Sequence, residues 1–306
     1  MLKKLTAVII MLLYMAGCGA SSRIVKEDAN SVKVTQKVES KYTGPKRRVA
    51  VVEFANKTVY GKRLGTSASD ILVTELGKSG KFIIIERERL VKIIEEQKLG
   101  LTGLLDSNTA AGVGNMLGAS AVVLGTISNF GVDTESGGAI ITQSKRQRAS
   151  CTVDVRVVDV ETGRVIYTDT GKGVAEKSSG TFLGVGSSAG YDETLEGESL
   201  RAAIVKLTEN IISQISSVPW TCHVAEISEE KIYIDAGRMS GMETGTKLSV
   251  YSQGKEIMSS TTGLVLGREE KKTAVLEITG FLGEDGAVVK VLEGKVQKGD
   301  LCKIYE

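Results

Sequence analysis

The side chains that could carry catalysis or bind a metal are few in this sequence. Its 306 residues contain one histidine, His223, so histidine acid–base catalysis or a metal site with several histidines has almost nothing to draw on. Cys222 precedes it, but neighbouring side chains in a strand point to opposite faces, so the two are a poor metal-binding pair. Carboxylates are numerous but scattered. We therefore expect a protein that is not an enzyme and that uses neither a cofactor nor a metal.

Nucleotide-binding motifs are also missing from the sequence. No phosphate loop ending in Gly-Lys-Ser/Thr occurs, and neither glycine cluster lies between a strand and a helix at dinucleotide-binding spacing. The two clusters are Gly112, Gly114, Gly118 and Gly184, Gly186, Gly190. Because 39 Lys and Arg nearly balance 37 Asp and Glu, no strong field attracts nucleic acid. The glycines therefore predict tight turns.

The first residues have the layout of a secretory signal. Lys3 and Lys4 precede an apolar run over 5–15, which is too short to span a bilayer, and small residues follow. The segment Met15-Ala16-Gly17-Cys18 resembles the bacterial lipobox, which predicts cleavage before Cys18 and a lipid on its thiol. The alternative is a plain secretory signal with an incidental cysteine. No acidic residue directly follows Cys18, so we expect the periplasmic side of the outer membrane.

Length and pattern predict two folded domains after the signal. We divide the chain into a signal peptide (1–17), a lipid anchor and tether (18–46), a first domain (47–216) and a small all-β C-terminal domain (217–306). The first domain alternates buried strands with amphipathic helices, which predicts an α+β fold in which helices pack on a mixed sheet. Predicted strands lie at 48–54, 81–85, 121–127, 151–160 and 165–170, and predicted helices at about 67–78, 90–94, 107–117 and 198–215.

Local signals support these elements. Thr66 or Ser67 can cap the first helix, and Asp106 or Ser107 can start the third. Val153, Val155 and Val157 share one face of a predicted strand. The last helix has one apolar stripe, formed by Leu200, Ile204, Leu207, Ile211 and Ile215.

Three cysteines remain after Cys18. Cys222 and Cys302 bracket the all-β domain, and an oxidising compartment would allow them to form a disulfide. Closing a loop of that length would stabilise the domain by about 4 kcal/mol in the chain-entropy model. Two buried free thiols are the alternative. Cys151 begins an alternating strand, so we expect it to be a small buried apolar residue.

Several segments occur in the order seen in one bacterial family. They are 49–54 (VAVVEF), Glu86-Arg87, 95–100 (EEQKLG), 118–125 (GASAVVLG) and 153–163, which ends in a Glu-Thr-Gly turn. Over about 47–215 the chain resembles the curli secretion lipoprotein family (CsgG-like, the CsgG/HfaB type). The module at 231–304, with Ile232–Gly237, Gly241–Gly245 and Lys298-Gly299-Asp300, resembles the C-terminal β-domain of the flagellar assembly protein FlgT.

The resemblance implies a ring-forming outer-membrane lipoprotein in which each subunit contributes two β-hairpins to one shared transmembrane barrel. The corresponding segments here are about 128–150 and 168–191, each long enough for two membrane strands. Leu183 and Val185 are the best lipid-facing candidates. Lys145, Arg146 and Arg148 prevent a uniformly apolar face in the first segment, so long surface hairpins are the alternative.

The resemblance also implies a constriction loop after the first strand. The matching loop, 56–65, is short and basic, and Asn56 and Tyr60 are its candidate pore-lining residues.

Two function classes stay open at this stage. The first is an oligomeric channel that exports a secreted fibre or surface polypeptide by confined diffusion through a ring, with no bond chemistry. The second is a periplasmic lipoprotein that does not insert and that positions partner proteins in envelope or flagellar assembly. Both imply a homo-oligomer or periplasmic accessory proteins as partners, and a membrane contact through the lipid.

Overall fold

The chain folds into a mixed sheet with packed helices, followed by a small barrel. The structure is a computed structural model that describes residues 21–24, 44–61, 63–86, 91–92, 106–139, 142–182, 185–186, 193–228, 231–261 and 265–305. The signal segment, Cys18, most of the predicted tether and most of the predicted helix near 90–94 lie outside these residues. Within the described part, no helix is long and apolar enough to cross a membrane.

The first part contains eight strands and three helices among the described residues. In chain order these are β1 Ser21–Ile24, β2 Arg47–Val51, β3 Ala55–Asn56, α1 Leu64–Lys78, β4 Phe82–Ile84, α2 Ser107–Met116, β5 Ala121–Ala139, β6 Thr142–Asp159, β7 Val165–Phe182, β8 Val185–Gly186 and α3 Glu193–Ser217. The sheet order is β1-β7-β6-β5-β2-β4, with β3 beside β5 and β8 beside β7. Strand β2 is parallel to β4 and β5, whereas β5, β6 and β7 are antiparallel. The predicted mixed sheet is therefore present.

Helices cover both faces of this sheet. Val49 and Val51 of β2 pack in the same cluster as α1 and α3, whereas Ala50 and Val52 pack with α2 on the other face. This explains why the chain is apolar at every position from Val49 to Val52. The predicted stripe of α3 is entirely buried, namely Leu200, Ile204, Leu207, Ile211 and Ile215.

The helix starts were predicted with unequal success. Helix α2 begins as expected, because the Asp106 carboxylate accepts the backbone N–H groups of Asn108 and Thr109, both at 3.0 Å. Helix α1 begins at Leu64, three residues earlier than predicted, and Arg63 caps it without a side-chain hydrogen bond. The prediction relied on a hydroxyl cap at Thr66 or Ser67, but burial of Leu64 extends the helix through them.

The second part is a closed barrel of six strands. They are β9 Thr221–Ser228, β10 Lys231–Ile234, β11 Lys247–Met258, β12 Val265–Leu282, β13 Gly286–Gly294 and β14 Leu301–Ile304, with one 3₁₀ turn at Arg238–Ser240. The order around the barrel is β10-β13-β12-β11-β14-β9, and β9 pairs with β10 to close it. Its interior is filled by apolar side chains, among them Val224, Leu248 and Leu276. This agrees with the all-β prediction for this region.

One segment of the predicted tether is part of the fold. Residues 21–24 form β1, which pairs antiparallel with β7 from Ser21↔Ser178 to Ile24↔Ala175. The tether prediction was wrong for these residues, because a polar segment without clear alternation gains its order from backbone pairing with an existing edge.

Candidate interaction surface on the extended sheet

Three strands continue the sheet well beyond the helices. The β5–β6 ladder runs out to Ala139↔Thr142, and the β6–β7 ladder reaches Thr142↔Phe182. The first predicted hairpin segment, 128–150, thus forms the outer halves of β5 and β6. The described residues of the second, 168–191, form the outer part of β7 and the short β8, which pair at Thr181↔Gly186 and Phe182↔Val185. We call this three-stranded region the extended sheet.

The outer half of β5 lies at one edge of the sheet that the described residues form. Beyond Ile127, no described strand pairs with β5 on the side away from β6, since β2 and β3 end their pairing at Val123 and Ile127. On the opposite side of the extended sheet, β1 and β8 both pair with β7. The extended sheet therefore has one edge covered by described strands and one edge, on β5 beyond Ile127, along which no described strand pairs; we call the latter the open edge.

One face of the extended sheet carries a cluster of charges. Asp133, Arg148 and Glu176 lie directly opposite one another on β5, β6 and β7, and Glu135 lies opposite Arg146 in a neighbouring row. Arg146 forms an ion pair with Glu176, and the Arg148 Nε lies 3.7 Å from a Glu176 oxygen. Donation of a hydrogen bond to the Glu176 carboxylate raises the pKa of Arg146. We call these five residues the charged cluster.

The opposite face of the extended sheet is apolar near the helices and polar toward its outer end. Phe130, Ala149 and Cys151 belong to the main apolar cluster with α3. Cys151 is buried, as predicted, and burial raises its pKa to about 12. Farther out the same face carries Lys145 and Lys177, which are half-buried. Neither face of the outer sheet is therefore apolar.

The predicted constriction loop is organised by its own side chains. Asn56 donates from its amide to the carbonyls of Tyr60 and Gly61, both at 2.9 Å, and accepts from the Thr58 backbone N–H at 2.9 Å. Tyr60 stacks edge-on against Phe130, with ring centroids 5.3 Å apart. Asn56 thus shapes the loop, whereas Val59, which the sequence analysis did not select, is 98% exposed.

The remaining predicted site residues do not form one group with Asn56 and Tyr60 among the described residues. Cys222 on β9 and Cys302 on β14 face each other inside the barrel as free thiols, so their bond stays a prediction. Val185 lies in β8, whereas Leu183 and Cys18 are outside the described residues. The described part of the chain holds no group of three or more His, Cys, Asp or Glu that could bind a metal.

A polar cleft of about 250 Å³ separates the sheet from the barrel. The Lys46 backbone N–H donates to the Ser240 carbonyl at 2.9 Å, and the Trp220 indole donates to the Lys46 carbonyl at 3.3 Å. Arg47 donates to the Val218 carbonyl, and Arg48 lies 3.6 Å from Asp285. The two parts are therefore joined by polar contacts to residues 46–48.

His223 lies in this cleft beside a carboxylate. Asp235 accepts the His223 backbone N–H at 2.6 Å, and its other oxygen lies 3.7 Å from the imidazole Nδ1. The Asp235 carboxylate raises the pKa of His223 despite partial burial. Burial alone would raise the pKa of Asp235, but hydrogen bonding to His223 outweighs it and lowers that pKa. The pair is a contact at the junction between the sheet and the barrel.

Sequence reasoning missed the charged cluster as a unit. It used Arg146 and Arg148 only as evidence against an apolar face, and it did not match them with acidic residues on other strands. The available signal was the two-residue spacing of Asp133 with Glu135 and of Arg146 with Arg148, which places each pair on one face of its strand.

The mixed sheet with helices on both faces and a long strand extension agrees with a match to a family model. The model is described as the curli production assembly/transport component CsgG, and it matches residues 29–246, more than half of the chain. The chain belongs to the CsgG family. The match begins within the predicted tether and ends at residue 246, within the sequence that forms the barrel. It therefore extends beyond both ends of the expected first domain, 47–216.

A curated relative and several solved structures are similar to this chain. The Neisseria meningitidis serogroup B protein named lipoprotein NMB1126/NMB1164 is 28% identical over 217 residues, which cover 67% of this chain and 91% of that protein. The PelC dodecamer from Paraburkholderia phytofirmans matches with a TM-score of 0.29 and 18% identity, covering 62% of this chain and 96% of that one. The LpoB C-terminal domain from Escherichia coli matches with a TM-score of 0.29 and 18% identity, covering 46% and 90%.

Proposed function

We propose that this protein is a lipid-anchored, non-enzymatic component of the bacterial envelope that binds partner proteins through the extended sheet without inserting it into the bilayer. The observation that carries this proposal is the charged cluster on one face, with Lys145 and Lys177 on the other. Membership of the CsgG family and the similarity to a protein named as a lipoprotein support the envelope location.

The dimensions of the extended sheet oppose insertion. Beyond the Glu135–Arg146 row, only the four residues 136–139 of β5 remain before the strand ends. At about 3.3 Å per residue they span about 13 Å, whereas the apolar band of a membrane barrel is about 25 Å tall. A sheet in this register would carry charges into the hydrocarbon whichever face met the lipid, and each Lys or Arg would cost about 2–4 kcal/mol near the midplane.

Strand β1 connects the proposed lipid site to the extended sheet. Ser21, its first residue, follows Cys18 by three positions, so their Cα atoms lie at most about 11 Å apart. Since Ser21 pairs with Ser178 near the outer end of β7, a lipid on Cys18 would bring that end close to the bilayer surface. The extended sheet would then rest beside the membrane instead of crossing it.

The open edge of β5 is the part of this surface best suited to a partner. An extended segment can add to such an edge through backbone hydrogen bonds, with side chains supplying specificity. Asp133 and Glu135 lie on this edge strand, and the exposed Val59 lies in the loop that packs against Phe130 of the same strand. A second copy of this chain or an accessory protein could use the same edge.

A channel is the second candidate, and the open edge is the observation that favours it. Membrane strands must close into a barrel, because unpaired backbone groups in lipid cost several kcal/mol each. A ring of subunits would pair each β5 edge with a neighbour. In that arrangement the charged cluster would face the lumen, which leaves Lys145 and Lys177 toward lipid and makes this candidate the weaker one.

Leu183→Arg distinguishes the two candidates. If the hairpin tip lies in water, we expect the variant to fractionate like wild type, with no ion conductance from either protein in planar bilayers. Leu282→Arg, which changes a leucine that is 59% exposed on the barrel, is the matched control. Conductance in wild type and in the control that is lost in Leu183→Arg would reject the non-inserted proposal and support a channel.

The lipid anchor is tested separately with Cys18→Ala. We expect wild type to incorporate labelled palmitate, and the variant to incorporate none and to accumulate unprocessed or away from its membrane, because acylation holds the mature chain there. Palmitate on the variant would contradict attachment at Cys18, whichever candidate function is correct.

A further inference from the structure

The two cysteines of the barrel occupy directly opposed positions on its closing strands. Cys222 of β9 is the register partner of Cys302 of β14, and the flanking pairs Thr221↔Lys303 and His223↔Leu301 have the same register. Opposed residues of antiparallel strands have Cα separations of about 4.5–5.5 Å. Disulfides span Cα separations of about 4.4–6.8 Å. The backbone therefore already has the separation that a bond between these cysteines requires.

Both thiols are enclosed by the barrel core. Cys222 is 4% exposed and Cys302 is fully buried, in the cluster that contains Val224 and Val250. Burial, followed by the neighbouring Cys302 thiol, raises the pKa of Cys222 well above its usual value. Because the thiolate is the reactive form and both cysteines are buried, the folded barrel is a poor substrate for thiol–disulfide exchange.

The barrel is closed through a short strand, β14. It has four residues, Leu301–Ile304, and it lies between β11 and β9. Three register pairs join it to β9. A covalent link at Cys302 would hold this short strand against β9, which begins 80 positions earlier in the chain.

We propose that Cys222 and Cys302 form a redox-modification site, whose disulfide fastens β14 to β9 and forms before the barrel closes around it. The thiolate of one cysteine attacks a disulfide donor such as oxidised glutathione and displaces one donor thiolate. The second cysteine thiolate then attacks the mixed disulfide and displaces the other. The two cysteines lose two protons and two electrons, and the donor is reduced to two thiols. In the cell this rests on the proposed export to an oxidising compartment.

Peptide mapping of the full chain tests the pairing. Exported protein, extracted in detergent, is denatured, alkylated without reduction and digested. We expect one linked peptide containing Cys222 and Cys302, with Cys151 alkylated as an internal control for a buried free thiol. The same mapping is applied to protein refolded in a buffer of reduced and oxidised glutathione, which requires no export.

The two preparations separate failure of the site from failure of the localisation. Alkylation of both Cys222 and Cys302 in both preparations would overturn the disulfide. A linked peptide in refolded protein with free thiols in the cell would support the site and contradict an oxidising location.

The order of events is tested on reduced, folded protein. With oxidised glutathione we expect linkage at least about tenfold slower than in protein unfolded by denaturant, because burial limits access and thiolate formation. Cys151→Ala should give the same ratio. Equal rates in folded and unfolded protein would overturn formation before closure.

Discussion

Glycines on β7 allow α3 to lie directly on the strand. A Cβ at Gly173 would lie 2.0 Å from the Ser199 carbonyl oxygen, and one at Gly171 would lie 2.3 Å from that of Ala203. Both oxygens belong to the α3 backbone, so neither contact is relieved by a side-chain rotation. The small residues of β7 therefore set how closely α3 approaches the base of the extended sheet.

Gly173→Ala should destabilise the protein by about 1–3 kcal/mol, because the added methyl overpacks a rigid helix contact. Gly112→Ala is the control, since a Cβ there meets nothing within 4 Å, and it should stabilise α2 by about 0.5–1 kcal/mol. Urea unfolding of both variants measures the change in free energy. A Gly173→Ala protein as stable as wild type would show that α3 does not lie this close to β7.

At the level of elements, strand β1 makes part of the N-terminal segment a strand of the sheet. Sequence analysis placed these residues in a tether, yet they cover the edge of β7 next to β8. If the ladder of β8 continued in register, residue 189 would lie opposite Ser178, where Ser21 lies. Strand β1 and a longer second hairpin therefore exclude each other on this edge, so a full pair of membrane hairpins would require β1 to leave.

Replacing Ser22 and its register partner Lys177 with cysteines tests this pairing. S22C/K177C in exported protein should form a linked peptide in most chains, because opposed Cα atoms lie within disulfide range. R23C/K177C is the matched control, in which the two side chains point to opposite faces, and it should link far less. Equal linkage in both double variants would mean that β1 is not held in this register.

At the level of the whole molecule, we expect His223 and Asp235 to make the stability of the junction depend on pH. Asp235 faces His223, and the positive charge of Arg48 in the sheet helps to lower the pKa of Asp235. The negative charge of Glu161, in the β6–β7 turn, helps to raise the pKa of His223. The raised pKa of His223 means that the pair stabilises the fold below about pH 6.5 and loses this effect as pH rises through the folded-state pKa. Because the pKa of Asp235 is lowered, its contribution to stability is fully present above about pH 4 and is lost as pH falls through the folded-state pKa.

Asp235→Asn should therefore lower the free energy of unfolding between about pH 4 and 6.5, and the loss should shrink by pH 9. The side chains of His223 and Asp235 are 48% and 35% exposed, so solvent screens the pair and the loss should stay below about 1 kcal/mol. Asparagine retains the acceptor for the His223 backbone. Glu226→Gln, at the exposed pair with Lys298, is the control and should show no change across the histidine range. A loss independent of pH would contradict the role of His223.

The sequence alone determined the features that depend on local periodicity. The alternation of Val153, Val155 and Val157 identified a strand with one buried face, and the spacing from Leu200 to Ile215 identified the buried side of α3. The Asp106 cap was also readable, because a cap acts on the next three residues. These patterns repeat over two to four residues and need no knowledge of the partner.

Only the tertiary structure decided which distant residues meet. Asp133, Arg148 and Glu176 are separated by 15 and 28 positions, and they form one row because the register of β5, β6 and β7 aligns them. The same holds for Ser21 beside Ser178 and for Cys222 beside Cys302. Strand register is set by long-range pairing and by which face each strand buries, and a shift of one residue would exchange the two faces. For that reason the composition of the hairpin segments could only indicate that they are polar. The pairing of β5, β6 and β7 brings their charged side chains together in one cluster.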